Sequence, residues 1–197
     1  MDRNIPSSQG YRLESQIREA FGKVMYTTTC HDKIIARFIR YNSIIKVSQI
    51  ILSAITTSGF VVAIWHDSQF ANLLGAFVSL ALLILNTYAK NIDLVAAAQE
   101  HKIASDQLWK IREEYVSLLT DFEMLSSENI MKIRDELQNR THKVYCTSPR
   151  TDARSYRLAQ KALKTDEEQT FSDEEIDIML PGAIRRCNRS INKEESR

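Results

Sequence analysis

Glycine and proline are scarce in this chain, which has 5 Gly and 3 Pro among 197 residues. Sandwiches, barrels and alternating β–α folds need these residues for their many turns, so the composition predicts an all-helical protein. Cys30, Cys146 and Cys187 are odd in number and form no CxxC pair, which favours free thiols in a reducing compartment over a disulfide framework. The net charge of +1, from 26 basic and 25 acidic residues, excludes a globally basic nucleic-acid binder.

Common catalytic and metal-binding motifs are missing from the sequence as well. None of GxGxxG, GxxxxGK(S/T), GxSxG or HExxH occurs, so the usual phosphate cradles, the nucleophile elbow and the zincin signature are excluded. His142 and Cys146 are four residues apart, but two ligands do not make a structural zinc site. We therefore predict a protein that is not an enzyme and that uses no cofactor and no metal.

Two long stretches in the middle of the chain carry no charge. Residues 47–65 form a run of 19 residues, about 28 Å long as a helix, and residues 68–89 form a second run of 22. Both lengths suit a hydrocarbon core of about 30 Å. Because few residues separate the runs, the sequence predicts an antiparallel transmembrane hairpin over 46–89, with spans at 47–65 and 69–89. The alternative is a buried helical hairpin in a soluble bundle, since the first span is only moderately apolar.

The distribution of basic residues predicts the orientation of this hairpin. Lysine and arginine flank the outer ends of both spans, whereas the loop His66–Gln69 contains neither. Basic residues stay on the cytoplasmic side of a membrane, so both termini of this multi-pass protein should be cytoplasmic. The flanking residues are Lys33, Arg37, Arg40 and Lys46 before the first span, and Lys90 and Lys102 after the second.

The remaining chain is predicted to extend the hairpin as long, coiled-coil-like cytoplasmic helices. After the second span, apolar residues recur at spacings of three and four, which is typical of a heptad seam. A weaker stripe precedes the first span, and the two stripes should pack on each other. Because one hairpin hides only part of such a seam, we expect a homo-oligomer. The candidate oligomer seam is Leu94, His101, Leu108, Ile111, Tyr115, Leu118 and Phe122.

These patterns divide the chain into five predicted segments. They are an N-terminal tail at 1–10, a cytoplasmic amphipathic helix at 11–45, the hairpin at 46–89, a helical stalk at 90–146 and a charged helical or flexible region at 147–197. His101 is a polar residue within the seam, where such residues more often fix register than catalyse. We expect it to make a stabilising or pH-sensitive contact.

Polar residues form a stripe along each predicted span. Gln49, Ser53 and Thr57 recur every four residues, and Asn72, Ser79 and Asn86 every seven. One interpretation is hydrogen bonding between packed helices, with Gly59 and Gly75 allowing a close approach. The other is an oligomeric pore lined by uncharged polar groups, with His66 and Asp67 at its outer mouth and Lys46 or Lys90 at its inner mouth.

A basic stripe opens the C-terminal region. Its spacings of four and three place five cations on one face of a helix that begins near Asp152, and an acidic run follows. Three interpretations are open. The stripe is a solvated face whose charges the following acidic residues neutralise, a site that binds an anionic ligand such as a nucleotide, or a surface that binds the anionic inner leaflet of the membrane. Sequence-specific nucleic-acid binding is not expected, because no aromatic residues interleave to stack bases. The candidate anion-binding residues are Arg150, Arg154, Arg157, Lys161 and Lys164.

The order of these parts resembles the SLATT family, two-transmembrane effector domains of prokaryotic conflict systems. The resemblance covers about Tyr11 to Leu163 and rests on the architecture, on the segment AAAQEH at 96–101 and on the spacing of Trp109, Arg112, Tyr115 and Asp121. It implies that these four residues make packing and inter-subunit contacts. It implies no catalytic residue.

The resemblance also implies a function. Members of this family are antiphage or abortive-infection effectors that oligomerise and form a pore or otherwise disrupt the inner membrane when a partner system signals. Those partners include nucleotide second-messenger synthases and, for some members, reverse transcriptases. The alternative from the residues alone is a passive membrane scaffold, whose helical stalk recruits a cytoplasmic partner.

Overall fold

We describe the fold from a computed structural model, which covers residues 8–65, 69–181 and 184–185. Within this part of the chain every long regular element is an α-helix, so the predicted all-helical fold class is confirmed. Of the predicted features, residues 1–7 of the tail, His66 and Asp67 of the loop, and Cys187 lie outside the described residues. The helices are α1 (Ser8–Trp65), α2 (Gln69–Asn91), α3 (Leu94–Thr120), α4 (Ser127–Thr147), α5 (Ala153–Lys164) and α6 (Asp173–Met179).

Helix α1 joins two segments that the sequence predicts separately. The amphipathic helix 11–45 and the first span 47–65 form one helix of 58 residues, which begins at Ser8. The threonines at positions 27–29 do not interrupt it, since each hydroxyl donates to the backbone carbonyl four residues earlier, at 2.9–3.0 Å. This local bonding satisfies the hydroxyls inside the helix.

The second half of α1 packs on α2. The half-buried residues of both helices recur at spacings of three and four, which defines an inter-helix seam. On α1 the seam contains Ile45, Gln49, Leu52, Thr56 and Gly59, and on α2 it contains Gly75, Val78, Leu82, Leu85 and Ala89. One stretch of the described residues, Asn72–Thr120, is long and apolar enough to cross a membrane, and no residue of its most apolar window is fully buried.

The predicted helical stalk 90–146 contains two helices, α3 and α4. It begins at a break before α3, where Asp93 caps the helix by accepting hydrogen bonds from the backbone N–H groups of Val95 and Ala96. After α3 ends at Thr120 the chain reverses, and Ser126 caps the start of α4. Helix α4 therefore folds back along α3, and the reversal produces a bundle of α1, α3 and α4.

The bundle core corrects the argument for an intermolecular seam. Leu108, Ile111, Tyr115 and Leu118 are each at most 3% exposed, and they cluster with residues of α1 and α4 such as Ile17. His101 is also buried within the single chain, whereas Leu94 and Phe122 at the ends of the seam are half-buried. The sequence missed that α4 returns to cover the middle of the seam, so these central residues are buried within the single chain.

The C-terminal region has two capped helices. Asp152 and Ser155 form a capping box at the start of α5, and Ser172 and Glu175 form one at the start of α6. The sequence Ser-Asp-Glu-Glu at 172–175 has the spacing of a capping box, and the structure forms it. Helix α5 packs its small residues on α1, where Ser155, Ala159 and Ala162 are almost fully buried.

Candidate functional site

The two polar stripes meet at one end of the helix pair. Gln49 Nε2 donates a hydrogen bond to Asn86 Oδ1 at 2.9 Å. Residues spaced by four or seven stay near one side of a helix, so this bond places both stripes on the same side of the pair. We call the six stripe residues Gln49, Ser53, Thr57, Asn72, Ser79 and Asn86 the polar face.

The polar face lies beside the inter-helix seam. Ser53, Thr57, Asn72 and Ser79 are all exposed in the single chain, whereas their neighbours Leu52 and Leu82 are half-buried in the seam. Because α1 and α2 run in opposite directions from the Gln49–Asn86 bond, Thr57 and Ser79 lie at similar depth, about 11 Å further along. The polar face therefore extends from the Gln49–Asn86 end of the helix pair to its middle. Asn72 continues the face past the middle, toward the opposite end.

Hydrogen bonding within α1 gives part of this face acceptor character. The Thr57 hydroxyl donates to the Ser53 carbonyl oxygen at 2.9 Å, so its proton is used inside the helix and its oxygen remains as an acceptor. Only Gln49 and Asn86 form a side-chain bond between the helices among the described residues. A Cβ atom added at Gly59 or Gly75 would meet no described atom within 4 Å, so neither glycine serves a close approach to the described residues.

Most of the remaining described surface of the helix pair is apolar, and the exposed Ser58 and Thr87 hydroxyls donate to backbone carbonyls of their own helices. The large side chains that cover it are roughly half exposed or more, although they are hydrophobic. At the end nearest the bundle, Lys46 and Lys90 are exposed. The pair thus has one polar side, a wide apolar side and a basic end, with Val47, Ile50, Ile51 and Ile55 of α1 and Leu73, Leu74, Phe77, Leu80, Leu83 and Ile84 of α2 on its apolar surface.

A buried histidine pair connects α1 and α3 in the bundle. The Nδ1 atoms of His31 and His101 are 2.7 Å apart, and the two residues are only 2% and 5% exposed. The Phe38 ring packs edge-on against His101, with 5.8 Å between ring centroids. The sequence predicted a contact for His101, but its partner His31 lies 70 residues away and no local pattern linked them.

The environment of this pair disfavours its protonated form. Burial, with a smaller contribution from His101, lowers the pKa of His31 to about 4. Burial also lowers the pKa of His101, an effect that nearby Arg37 reinforces and the carboxylates of Glu100 and Asp152 oppose. Because two facing Nδ1 atoms need one donor and one acceptor, the observed contact requires at least one neutral ring.

The four residues matched to the resemblance do not form one cluster. Tyr115 is buried in the core, and the backbone N–H of Asp121 caps the end of α3 by donating to Ser117. Arg112 donates to Gln169 at 2.6 Å and lies 5.8 Å from the centroid of the half-exposed Trp109 ring. Trp109 and Arg112 line an open cavity of about 470 Å³ with Phe171.

The basic stripe is exposed on α5, with Arg150 just before the helix. Lys161 forms an ion pair with Asp166 at 2.6 Å, so the following acidic run neutralises one cation of the stripe. Arg154 Nη1 instead donates to the neutral Tyr41 hydroxyl at 3.3 Å. No ion pair to Arg150, Arg157 or Lys164 occurs among the described residues.

Comparison with known proteins gives one match. The family model described as SMODS and SLOG-associating 2TM effector domain family 4 matches residues 13–175, which include all of α2 to α5 and most of α1. No curated protein and no solved structure matches the chain.

Proposed function

Because this chain belongs to the SLATT family of two-transmembrane effector domains, we propose that it is a membrane-embedded effector of a prokaryotic antiviral system. The family implies membrane association, and its name associates it with conflict systems. In the proposed mechanism, copies of the chain oligomerise and open a pore, or otherwise disrupt the inner membrane. No catalytic step is part of the proposal.

The proposed topology has two spans and both termini in the cytoplasm of a bacterium. The residues 47–65 and 69–89 would cross the inner membrane, and the bundle of α1, α3 and α4 would lie on the cytoplasmic side. Support comes from the exposed Lys46 and Lys90, which lie together at the bundle end of the helix pair. Basic residues favour the cytoplasmic side of a membrane.

The observation that carries the pore proposal is the polar face on a largely apolar helix pair. Four of its residues are exposed and form no side-chain bond between the helices among the described residues, whereas Gln49 and Asn86 bond to each other. Polar side chains in a membrane face protein or water rather than lipid. We therefore propose that copies turn their polar faces toward one another around a water-filled path, in which Ser79 and Thr57 lie near the middle.

The trigger in this proposal is a signal made by a partner system. A nucleotide second messenger from a synthase, or the activity of a reverse transcriptase system, is the class of signal that we propose. The bundle would receive it, since it is the part outside the membrane. The open cavity beside Trp109 and Arg112 is available to such a ligand.

Arginine substitutions at adjacent positions test the polar face. Ser79 and Leu80 are neighbours at the same depth, and both are exposed, but only Ser79 belongs to the polar face. An arginine near the membrane centre costs about 2.5–3.5 kcal/mol against lipid and much less against water. We expect Ser79→Arg to insert normally and to change the loss of membrane potential in triggered cells. Leu80→Arg should impair insertion or assembly.

Membrane potential is measured with a voltage-sensitive dye, and insertion by the membrane-bound fraction of the protein. Leu82→Arg is a further control, because Leu82 lies in the seam and its replacement should separate α1 from α2. Equal depolarisation by the wild type, Ser79→Arg and Leu82→Arg would reject the pore. If no trigger depolarised the wild type, the passive scaffold would become the better account.

A further inference from the structure

Helix α5 lies across α1, and three side-chain contacts fix its position along the α1 axis. Asp152, at the start of α5, accepts a hydrogen bond from Arg37 at 2.5 Å. Arg154 donates to Tyr41, whereas its near neighbour Tyr156 stacks on Tyr26 with 5.7 Å between ring centroids. Tyr26 and Tyr41 are 15 residues apart on α1, or about 22 Å. Two sides of α5 therefore point in opposite directions along α1, and the Arg154 side points toward the helix pair.

The other cations of α5 share the side of Arg154. They follow it at spacings of three and four, which keeps them on one helix face, and the buried Ser155, Ala159 and Ala162 hold the opposite face on α1. All of these cations are exposed. The cationic face of α5, consisting of Arg154, Arg157, Lys161 and Lys164, is thus exposed on the side away from α1, and its Arg154 edge turns toward the hairpin end of the molecule.

The height of this face matches the surface of a bilayer. Tyr41 lies six residues before Val47, where the charge-free run begins, which corresponds to about 9 Å along α1. The headgroup layer adds roughly 5–7 Å to each side of the hydrocarbon core. Charges interact with the surface over a further Debye length of about 8 Å. The Arg154 side chain is therefore within range of lipid headgroups.

The charge of this face is largely uncompensated. Asp166 neutralises Lys161, and Asp152 is paired with Arg37 rather than with the stripe. Arg154 contacts a neutral hydroxyl, and Arg157 and Lys164 form no ion pair within the described residues. Each basic residue near an anionic leaflet strengthens the binding of the protein to that leaflet by about fivefold.

We propose that the cationic face of α5 binds the anionic lipid headgroups of the leaflet next to the bundle. This inference rests on the proposed function, because it requires the hairpin to be inserted in a membrane. The lipid contact would hold α5 at the membrane surface and, through the Arg37–Asp152 pair, fix the orientation of the bundle below the hairpin.

Hydrogen–deuterium exchange of the full chain in nanodiscs tests the proposal. We compare discs of phosphatidylcholine with discs that also contain phosphatidylglycerol, and follow the peptide over 153–164. The expected result is exchange that is about fivefold slower or more with phosphatidylglycerol. The difference should disappear in 0.5 M salt and in Arg154→Gln/Arg157→Gln.

The matched control, Arg12→Gln/Lys132→Gln, removes two exposed cations far from the membrane. Arg12 is 35 residues before Val47, about 52 Å, and Lys132 is near Arg134, which contacts Gln16. This variant should retain the difference. If α5 exchanged equally in both kinds of disc while peptides of 69–91 were protected, the lipid-binding inference would be wrong. The proposed insertion of the hairpin would still be supported.

Two further outcomes would also overturn the lipid-binding inference. If millimolar inorganic phosphate protected α5 equally in discs of phosphatidylcholine alone, the face would be a site for soluble anions. If peptides of 69–91 exchanged freely in both kinds of disc, the hairpin would not be inserted, and both this inference and the proposed function would fail.

Discussion

The histidine pair predicts that the bundle loses stability in weak acid. The contact between His31 and His101 needs a neutral ring, and burial lowers the pKa of His31 from 6.5 to about 4. A group with a lowered pKa in the folded state contributes stability that is present above its unfolded pKa. That contribution declines as the pH falls below 6.5 and is fully lost below about 4.

The expected size of the effect follows from this pKa difference. At roughly 1.4 kcal/mol per pKa unit, the change from 6.5 to about 4 corresponds to about 3 kcal/mol of unfolding free energy. Asp152 acts in a different pH range, since its hydrogen bond with Arg37 lowers the pKa of that carboxyl from 3.8 to about 2.

Denaturant unfolding in detergent between pH 7 and pH 4 measures the effect. We expect His31→Gln to remove a large part of the pH dependence, because glutamine still offers His101 a hydrogen bond but does not titrate. His142→Gln is the control, since His142 is exposed on α4 and should leave the dependence intact. The reasoning is refuted if His31→Gln and the wild type lose the same free energy over this range.

Two further predictions concern the bundle. Leu108→Ala should cost about 2–5 kcal/mol of unfolding free energy, because Leu108 is fully buried, whereas Trp109→Ala, at a half-exposed neighbour, should cost about 1 kcal/mol or less; denaturation of both variants checks the contrast. A maleimide should label the exposed Cys146 rapidly and the buried Cys30 slowly, since burial raises the pKa of the Cys30 thiol; mass spectrometry of the labelled peptides checks this, and equal rates would contradict it.

Local features of the fold could be predicted from the sequence because short-range chemistry determines them. The capping box at Ser172 and the helix start near Asp152 depend on residues three apart, and both occur in the structure. The union of the amphipathic helix with the first span was missed. Threonines 27–29 lower helix propensity, but their hydroxyls find acceptors within α1, and tertiary packing sustains the helix.

Long-range features were harder to predict, since they depend on which faces of distant helices meet. The seam through Leu108 was visible as a pattern, but the sequence did not show that α4 covers it within the chain. Each polar stripe could also be identified in the sequence by itself. The Gln49–Asn86 bond, which joins residues 37 positions apart, shows that both stripes lie on one side of the helix pair. The same holds for His31, whose partner is 70 residues away.

The most direct test of the proposed pore is cysteine accessibility in purified proteoliposomes. In a background without native cysteines, Ser79→Cys and Leu80→Cys place a thiol at the same depth on the polar and apolar sides of α2. We predict that the reconstituted protein conducts ions, and that a water-soluble cationic thiol reagent blocks the current of Ser79→Cys while leaving Leu80→Cys unchanged. Block of both variants alike, or the absence of conduction at every protein-to-lipid ratio, would contradict the account.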